Sequence, residues 1–187
     1  MGGLDDGNHL HRAGHDIYHG SWGPTVDGLQ KPEVIAPAIW VAAPILPGTP
    51  TSAEASLHVH LATSRDDELD VILDAHAGVD PALDAARHLA PPLLRQLVEA
   101  KLRDGNVISG AYKHVDGTSF AAPIVSSLAA QMLEANPALG PHEVKSILVS
   151  TARRLPHVAV DQQGWGVVEP ADAVEEALAR AGAGPAA

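Results

Sequence analysis

Cysteine is absent from this chain, so it has neither a disulfide framework nor a thiolate metal site. Basic residues are scarce: 12 Lys and Arg stand against 23 Asp and Glu, a formal charge of −11. That balance argues against a nucleic-acid partner or an anionic membrane surface, and it says little about peptide substrates. No apolar run approaches the roughly 20 residues needed to span a bilayer. Met1 is followed by Gly-Gly-Leu-Asp-Asp rather than by a basic and then apolar signal, and Asp6 breaks the N-myristoylation pattern. These absences leave localisation open. What is present is a chain of 187 residues, long enough for one domain that buries about 70% of its unfolded surface without staples.

The most informative stretch is Gly117-Thr118-Ser119-Phe120-Ala121-Ala122-Pro123. Beyond Ser119 the chain is apolar at Ala121, Ile124, Val125, Leu128, Ala129, Met132 and Leu133, the spacing of a helix with one buried face. Ser119 is thereby expected in the first turn, at the positive end of the helix dipole. There, free N–H groups can meet an oxyanion formed when the hydroxyl attacks. Pro123 is expected to be tolerated because first-turn N–H groups have no intrahelical acceptor. Gly117, Ala121 and Ala122 are small enough to admit a neighbouring backbone. A plain helix N-cap, a frequent use of Thr and Ser, accounts for the same turn without chemistry.

Gly117 to Pro123 resembles the G-T-S-x-A-x-P nucleophile motif of the subtilisin-like serine proteases, the subtilases, at every fixed position. Upstream, Ser21-Trp22-Gly23-Pro24-Thr25, Asp27-Gly28 and Lys31-Pro32-Glu33-Val34-Ile35-Ala36-Pro37 are similar to the family segment S-x-G-P-T-x-D-G-x-x-K-P-D-V-x-A-P-G, with Glu33 for Asp and Ala38 for Gly. Downstream come an N-P-x-L-x-P-x-E-V-K helix at 136–145, a G-W-G turn at 164–166 and an A-V-x-x-A-L helix at 173–178, in the family's order. The resemblance implies an α/β fold, the C-terminal part of a doubly wound parallel sheet. It also implies a serine endopeptidase with Ser119 as nucleophile, the Ser119 N–H and Thr118 as oxyanion-hole support, and Gly117, Ala121 and Pro123 as motif scaffold. No cofactor and no metal are expected. The partner is a peptide or protein substrate.

In chain order, residues 1 to 30 are rich in Gly, Asp and His without a clear period. His9, His11, His15 and His19 match no single helix face and no zinc pattern, and a solvated loop is expected. Val34 to Ala36 reads as a short buried strand, with a second extended piece from Ile39 to Ala43. Residues 44 to 55 read as a loop with Ser52 as a helix cap. Short helices are expected over 66–75, 81–89 and 91–102. Together, about 52–105 forms a loop and helical insert that the family motifs do not require. Its acids Asp66, Asp67, Glu68, Asp70 and Asp74 resemble a calcium cluster less than a charged helix start. Val107 to Tyr112 reads as an extended approach to the serine, and residues 183–187 as a frayed tail on a domain spanning 1–182.

A serine hydroxyl needs a base in hydrogen-bond reach and a third group to orient that base. The family supplies these from a D-S/T-G turn and an H-G-T-x-V-A helix, and neither motif occurs in this chain. His19-Gly20-Ser21 is followed by the turn chemistry of Trp22-Gly23-Pro24-Thr25, and His114 sits in an extended lead-in that gives its ring no reason to reach Ser119. The resemblance therefore implies a chain that begins inside the peptidase domain and supplies the nucleophile half only. The missing N-terminal half is then a partner, and the chain alone is expected to be nearly inactive and aggregation-prone through exposed strand edges. Two other readings stay open: an inactive remnant with at most a binding role, and a His-rich metal-binding module.

Overall fold

The computed structural model describes residues 1–9 and 11–182. In chain order the strands are β1 (Gly2–Asp5), β2 (Asp16–Ile17), β3 (Gly23–Pro24), β4 (Gln30–Lys31), β5 (Ile35–Pro37), β6 (Val41–Pro44), β7 (Val107–Ser109) and β8 (Tyr112–Val115). The α-helices are α1 (Pro50–Thr63), α2 (Leu69–Ala75), α3 (Pro81–Ala85), α4 (Pro91–Asp104), α5 (Thr118–Ala135), α6 (Pro141–Ser150), α7 (Val160–Gln163) and α8 (Pro170–Gly182). The result is a mixed α/β protein built as two units, Met1–Val41 with Asp116–Ala187, and Ala42–Val115. The tail expected at 183–187 lies outside the described residues. Among the described residues no helix is long and apolar enough to cross a membrane.

In the first unit β1 pairs parallel with β5, in the register Gly2 to Ile35, Gly3 to Ala36 and Leu4 to Pro37, and antiparallel with β2. A parallel bridge continues the pairing from Ile35 to Val167. Side chains alternate across a strand, so this small sheet carries apolar groups on both faces, as parallel pairing favours. Leu4, Ile35 and Val167 pack with Leu155 and Val158 on one side. Val34, Ala36 and Ala38 pack with Ala121, Val125, Leu128 and Met132 of α5 on the other. Gly3 is small for a steric reason: a Cβ there would lie 2.5 Å from Ala38 Cβ.

The buried stripe of α5 is Ala121, Val125, Leu128 and Met132. It is narrower than the sequence pattern suggests, for Leu133 is exposed. Ala173 and Ala177 of α8 are fully buried in the same cluster, where their small side chains let the two helices approach. At the end of α5 the buried Asn136 donates to the Ala177 carbonyl at 3.2 Å and accepts from Ala138 N–H at 3.1 Å. After Gly166 the chain pairs only through bridges of Val167 with Ile35 and Arg153. Gly164 and Gly166 have φ of +62° and +122°. A Cβ at either would strike backbone oxygens of Pro32, Glu33 or Arg153 at 2.3–2.4 Å. That is the physical content of the G-W-G turn.

The second unit packs α1 to α4 around Leu57, Leu61, Leu69, Leu73, Leu83 and Leu94. Its sheet has the order β6, β8, β7. The single extended approach expected over 107–112 is instead an antiparallel hairpin of β7 and β8. Helix α1 starts at Pro50, earlier than expected. Thr49 is the cap, accepting from Ser52 N–H, because Pro50 preorganises the first turn. Helix α3 ends at Ala85 rather than Leu89. Three of the acids of 66–74 are engaged by cations, Asp66 by Arg95, Asp67 by Arg65, and Asp74 by Arg87, while Glu68 accepts from the Arg65 N–H.

One carboxylate ties three of these helices together. Asp80 caps α3 by accepting from Ala82 N–H at 3.0 Å, binds His58 Nε2 of α1 at 2.8 Å and Lys101 Nζ of α4 at 2.7 Å. His58 and Asp80 are 6% and 5% exposed. Burial disfavours the Asp80 carboxylate, but the hydrogen bonds from Lys101, His58 and the Leu83 N–H outweigh it and bring its pKa down to about 2.

Candidate active site

Ser119 is the second residue of α5, whose N-cap is Gly117, and its side chain lies at the surface. Gly117 has φ +134° and ψ 148°, a conformation that residues with a Cβ rarely adopt. The space beside it is open, since a Cβ would meet nothing closer than Phe120 at 3.7 Å. The glycine is therefore required by the turn of the backbone and not by crowding. It lets the chain change direction abruptly into an 18-residue helix with Thr118 and Ser119 in the first turn.

Two hydrogen bonds hold this turn to the segment after β5. Gly117 N–H donates to the Ala38 carbonyl at 2.6 Å. Trp40 N–H donates to Asp116 Oδ1 at 3.2 Å. Trp40 itself has φ +57°, a left-handed conformation uncommon outside glycine. Inside the turn, Phe120 N–H donates to the Gly117 carbonyl at 2.9 Å. No acceptor for the Ser119 N–H and no hydrogen-bond partner for Ser119 Oγ is found among the described residues. An exposed hydroxyl with its own N–H beside it, at the positive end of a long helix, has the makings of a nucleophile with an oxyanion donor.

Of the other residues singled out in the sequence, Ala121 is fully buried and anchors the helix in the core. Thr118 faces the Tyr18–Gly20 segment closely enough that a Cβ at Gly20 would lie 3.2 Å from its Cγ2. Pro123 differs from expectation. It lies inside α5, past the first turn, so its missing N–H is one that an ordinary residue would give to the Ser119 carbonyl. Proline here removes a helical bond and leaves that carbonyl without its usual donor.

His9, His11 and His15 come together as rings, with His9 centred 6.3 Å from His11 and 6.4 Å from His15. Among the described residues no group of three His, Cys, Asp or Glu is placed to hold a metal ion. His114 lies in β8, its backbone N–H bound to the Asn106 carbonyl. Sequence reasoning passed over Asp116, whose position immediately before Gly-Thr-Ser was the available signal. It also passed over the His58 and Asp80 pair, for which only the Asp80-Pro81 cap was visible.

No curated protein and no solved structure matches the chain. The family model described as "Subtilase family" matches residues 12–166, which include the Ser119 turn, both of its tethers and the G-W-G turn. With that match running over most of its length, the chain belongs to the subtilase family of serine-type peptidases.

Proposed function

We propose that this chain carries the nucleophile of a serine endopeptidase and hydrolyses peptide bonds through an acyl-enzyme on Ser119. Ser119 Oγ bonds to the scissile carbonyl carbon as a base takes its proton. The resulting oxyanion accepts from the Ser119 N–H and the Thr118 hydroxyl. Collapse then breaks the C–N bond, the amine leaves with the proton, and water releases the acyl group by the reverse sequence. The observation that carries this reading is the positive-φ glycine that places an exposed serine in the first turn of α5.

The base and its orienting carboxylate are assigned to a D-S/T-G turn and an H-G-T-x-V-A helix outside this sequence, in a missing N-terminal half of the domain. The parallel pairing of β1 with β5 and the parallel bridge to Val167 support a wider, doubly wound parallel sheet of which this chain forms the C-terminal part. The helical segment at about 52–105 is then an insert in that domain.

Covalent labelling by a fluorophosphonate tests the proposal. Labelling at Ser119, absent in Ser119→Ala and in heat-denatured chain, and faster when a segment bearing both missing motifs is supplied, is the expected result. The absence of these motifs favours one alternative, a catalytically inactive remnant that only binds. A chain that stays unlabelled even with the supplied segment establishes that reading.

A further inference from the structure

The segment 22–31, which forms the hairpin of β3 and β4, holds three large apolar side chains in water. Trp22 is 52% exposed, Val26 111% and Leu29 55%. Single exposed apolar residues are ordinary, but three on one short hairpin make a patch. Charge is sparse along it, for Asp27 is the only ionisable side chain between His19 and Lys31. The Thr25 hydroxyl donates to that carboxylate and holds its pKa below the ordinary value.

The patch is held in shape. Gly23 and Pro24 pair with Lys31 and Gln30. Thr25 N–H donates to the Leu29 carbonyl at 2.8 Å, Leu29 N–H to Thr25 Oγ1 at 3.0 Å, and Gly28 N–H to the Thr25 carbonyl at 2.9 Å. Gly28, at φ +82°, permits the turn. From the second strand Gln30 Nε2 donates to the Asp161 carbonyl at 3.0 Å, which ties the hairpin to α7. Apolar side chains on a preordered backbone lose little freedom when something covers them.

Position selects what that is. Two residues before Trp22, Gly20 lies against the nucleophile turn: a Cβ on it would be 3.2 Å from Thr118 Cγ2, and Thr118 precedes Ser119. A chain advances at most about 3.5 Å per residue, so Trp22 lies within roughly 7 Å of Gly20 and Val26 within roughly 20 Å. We infer that the hairpin is a docking surface for an extended polypeptide substrate, with Trp22, Val26 and Leu29 covering apolar side chains within about six residues of the bond cut at Ser119. Tryptophan is a frequent anchor in such contacts, and depletion of charge marks the centre of an interface. The inference rests on the reading of Ser119 as nucleophile. It names the substrate class as chains that carry apolar side chains near the scissile bond.

The test uses the full chain and a fluorescein-labelled peptide alternating leucine with glutamine, beside its counterpart with serine for leucine. Fluorescence anisotropy should show saturable binding of the leucine peptide, and binding of the serine peptide weaker by at least roughly tenfold. Val26→Ser combined with Leu29→Ser should bring the leucine peptide down to that level and leave the melting temperature unchanged. Val26→Ser alone, at the most exposed position, should go part of the way. Saturating leucine peptide should also slow fluorophosphonate labelling of Ser119 on the native chain, with the segment bearing both missing motifs supplied, but not on the double variant. Equal affinity for the two peptides, undiminished affinity in the double variant, or labelling that bound peptide leaves unslowed overturns the proposal. So does binding of the hairpin to zwitterionic vesicles with none to peptide, which makes the patch a lipid surface. A chain that never labels defeats the reading of Ser119 and leaves the anisotropy comparison to decide the docking surface, so the two failures are read separately.

Discussion

The N–H of Gly117 is bonded to the carbonyl of Ala38 at 2.6 Å, which fastens the start of the serine helix to the end of β5. Ala38 is the position where the family motif has glycine, and it is fully buried with φ outside the left-handed region. The left-handed residue of this segment is Trp40, at φ +57°, and not Ala38.

Gly117→Ala should damage the site more than the fold. Its Cβ has room, so the penalty is the strained φ, about 1–3 kcal/mol. The expected outcome is a modest fall in melting temperature with a large loss of fluorophosphonate labelling at Ser119. Equal labelling by mutant and parent would show that the turn geometry is not what presents the hydroxyl.

Asp116→Ala removes the acceptor for the Trp40 N–H and should release that amide to solvent, at about 1 kcal/mol. Asp116→Asn keeps an acceptor oxygen and should restore protection. Hydrogen exchange at the Trp40 amide, read for both variants, distinguishes a hydrogen bond from a charge effect.

Asp80 makes the stability of the second unit depend on acid. Its folded pKa of about 2 lies below the ordinary 3.8. A depressed carboxylate pKa stabilises the fold above the unfolded value, and this is lost as pH falls through the folded one. The contribution is roughly 2 kcal/mol, present above about pH 4 and gone below about pH 2. Denaturant unfolding across that window should show the slope, and Asp80→Asn should flatten it while weakening the unit at neutral pH.

Leu128→Ala removes a side chain that is 1% exposed between α5 and the sheet. A loss of 2–5 kcal/mol is expected, the range for large-to-small changes in a packed core. Gly166→Ala should be at least as harmful, because its Cβ would meet the Arg153 carbonyl oxygen at 2.3 Å with φ already at +122°. Thermal melts of both variants check the pair.

Much of this was legible in the residues. Gly117-Thr118-Ser119, followed by apolar positions at helical spacing, determined that a hydroxyl opens a helix with one buried face, because periodicity and small residues are local signals. Proline is a local signal too: Pro170 opens α8, and α5 ends at Ala135, just before Asn136-Pro137. The family motifs singled out Ser119, Gly164 and Gly166, and the fold puts the serine in the first turn of α5 and both glycines at positive φ. Tertiary structure alone decided which part of each stripe was buried, leaving Leu133 exposed and Ala173 and Ala177 enclosed. It also decided that Pro123 sits past the first turn, and that Asp80 joins His58 and Lys101. The contact of Arg153 with His15, far apart in sequence, belongs to the same class. Such contacts depend on where distant segments meet, and no local pattern of residues encodes that.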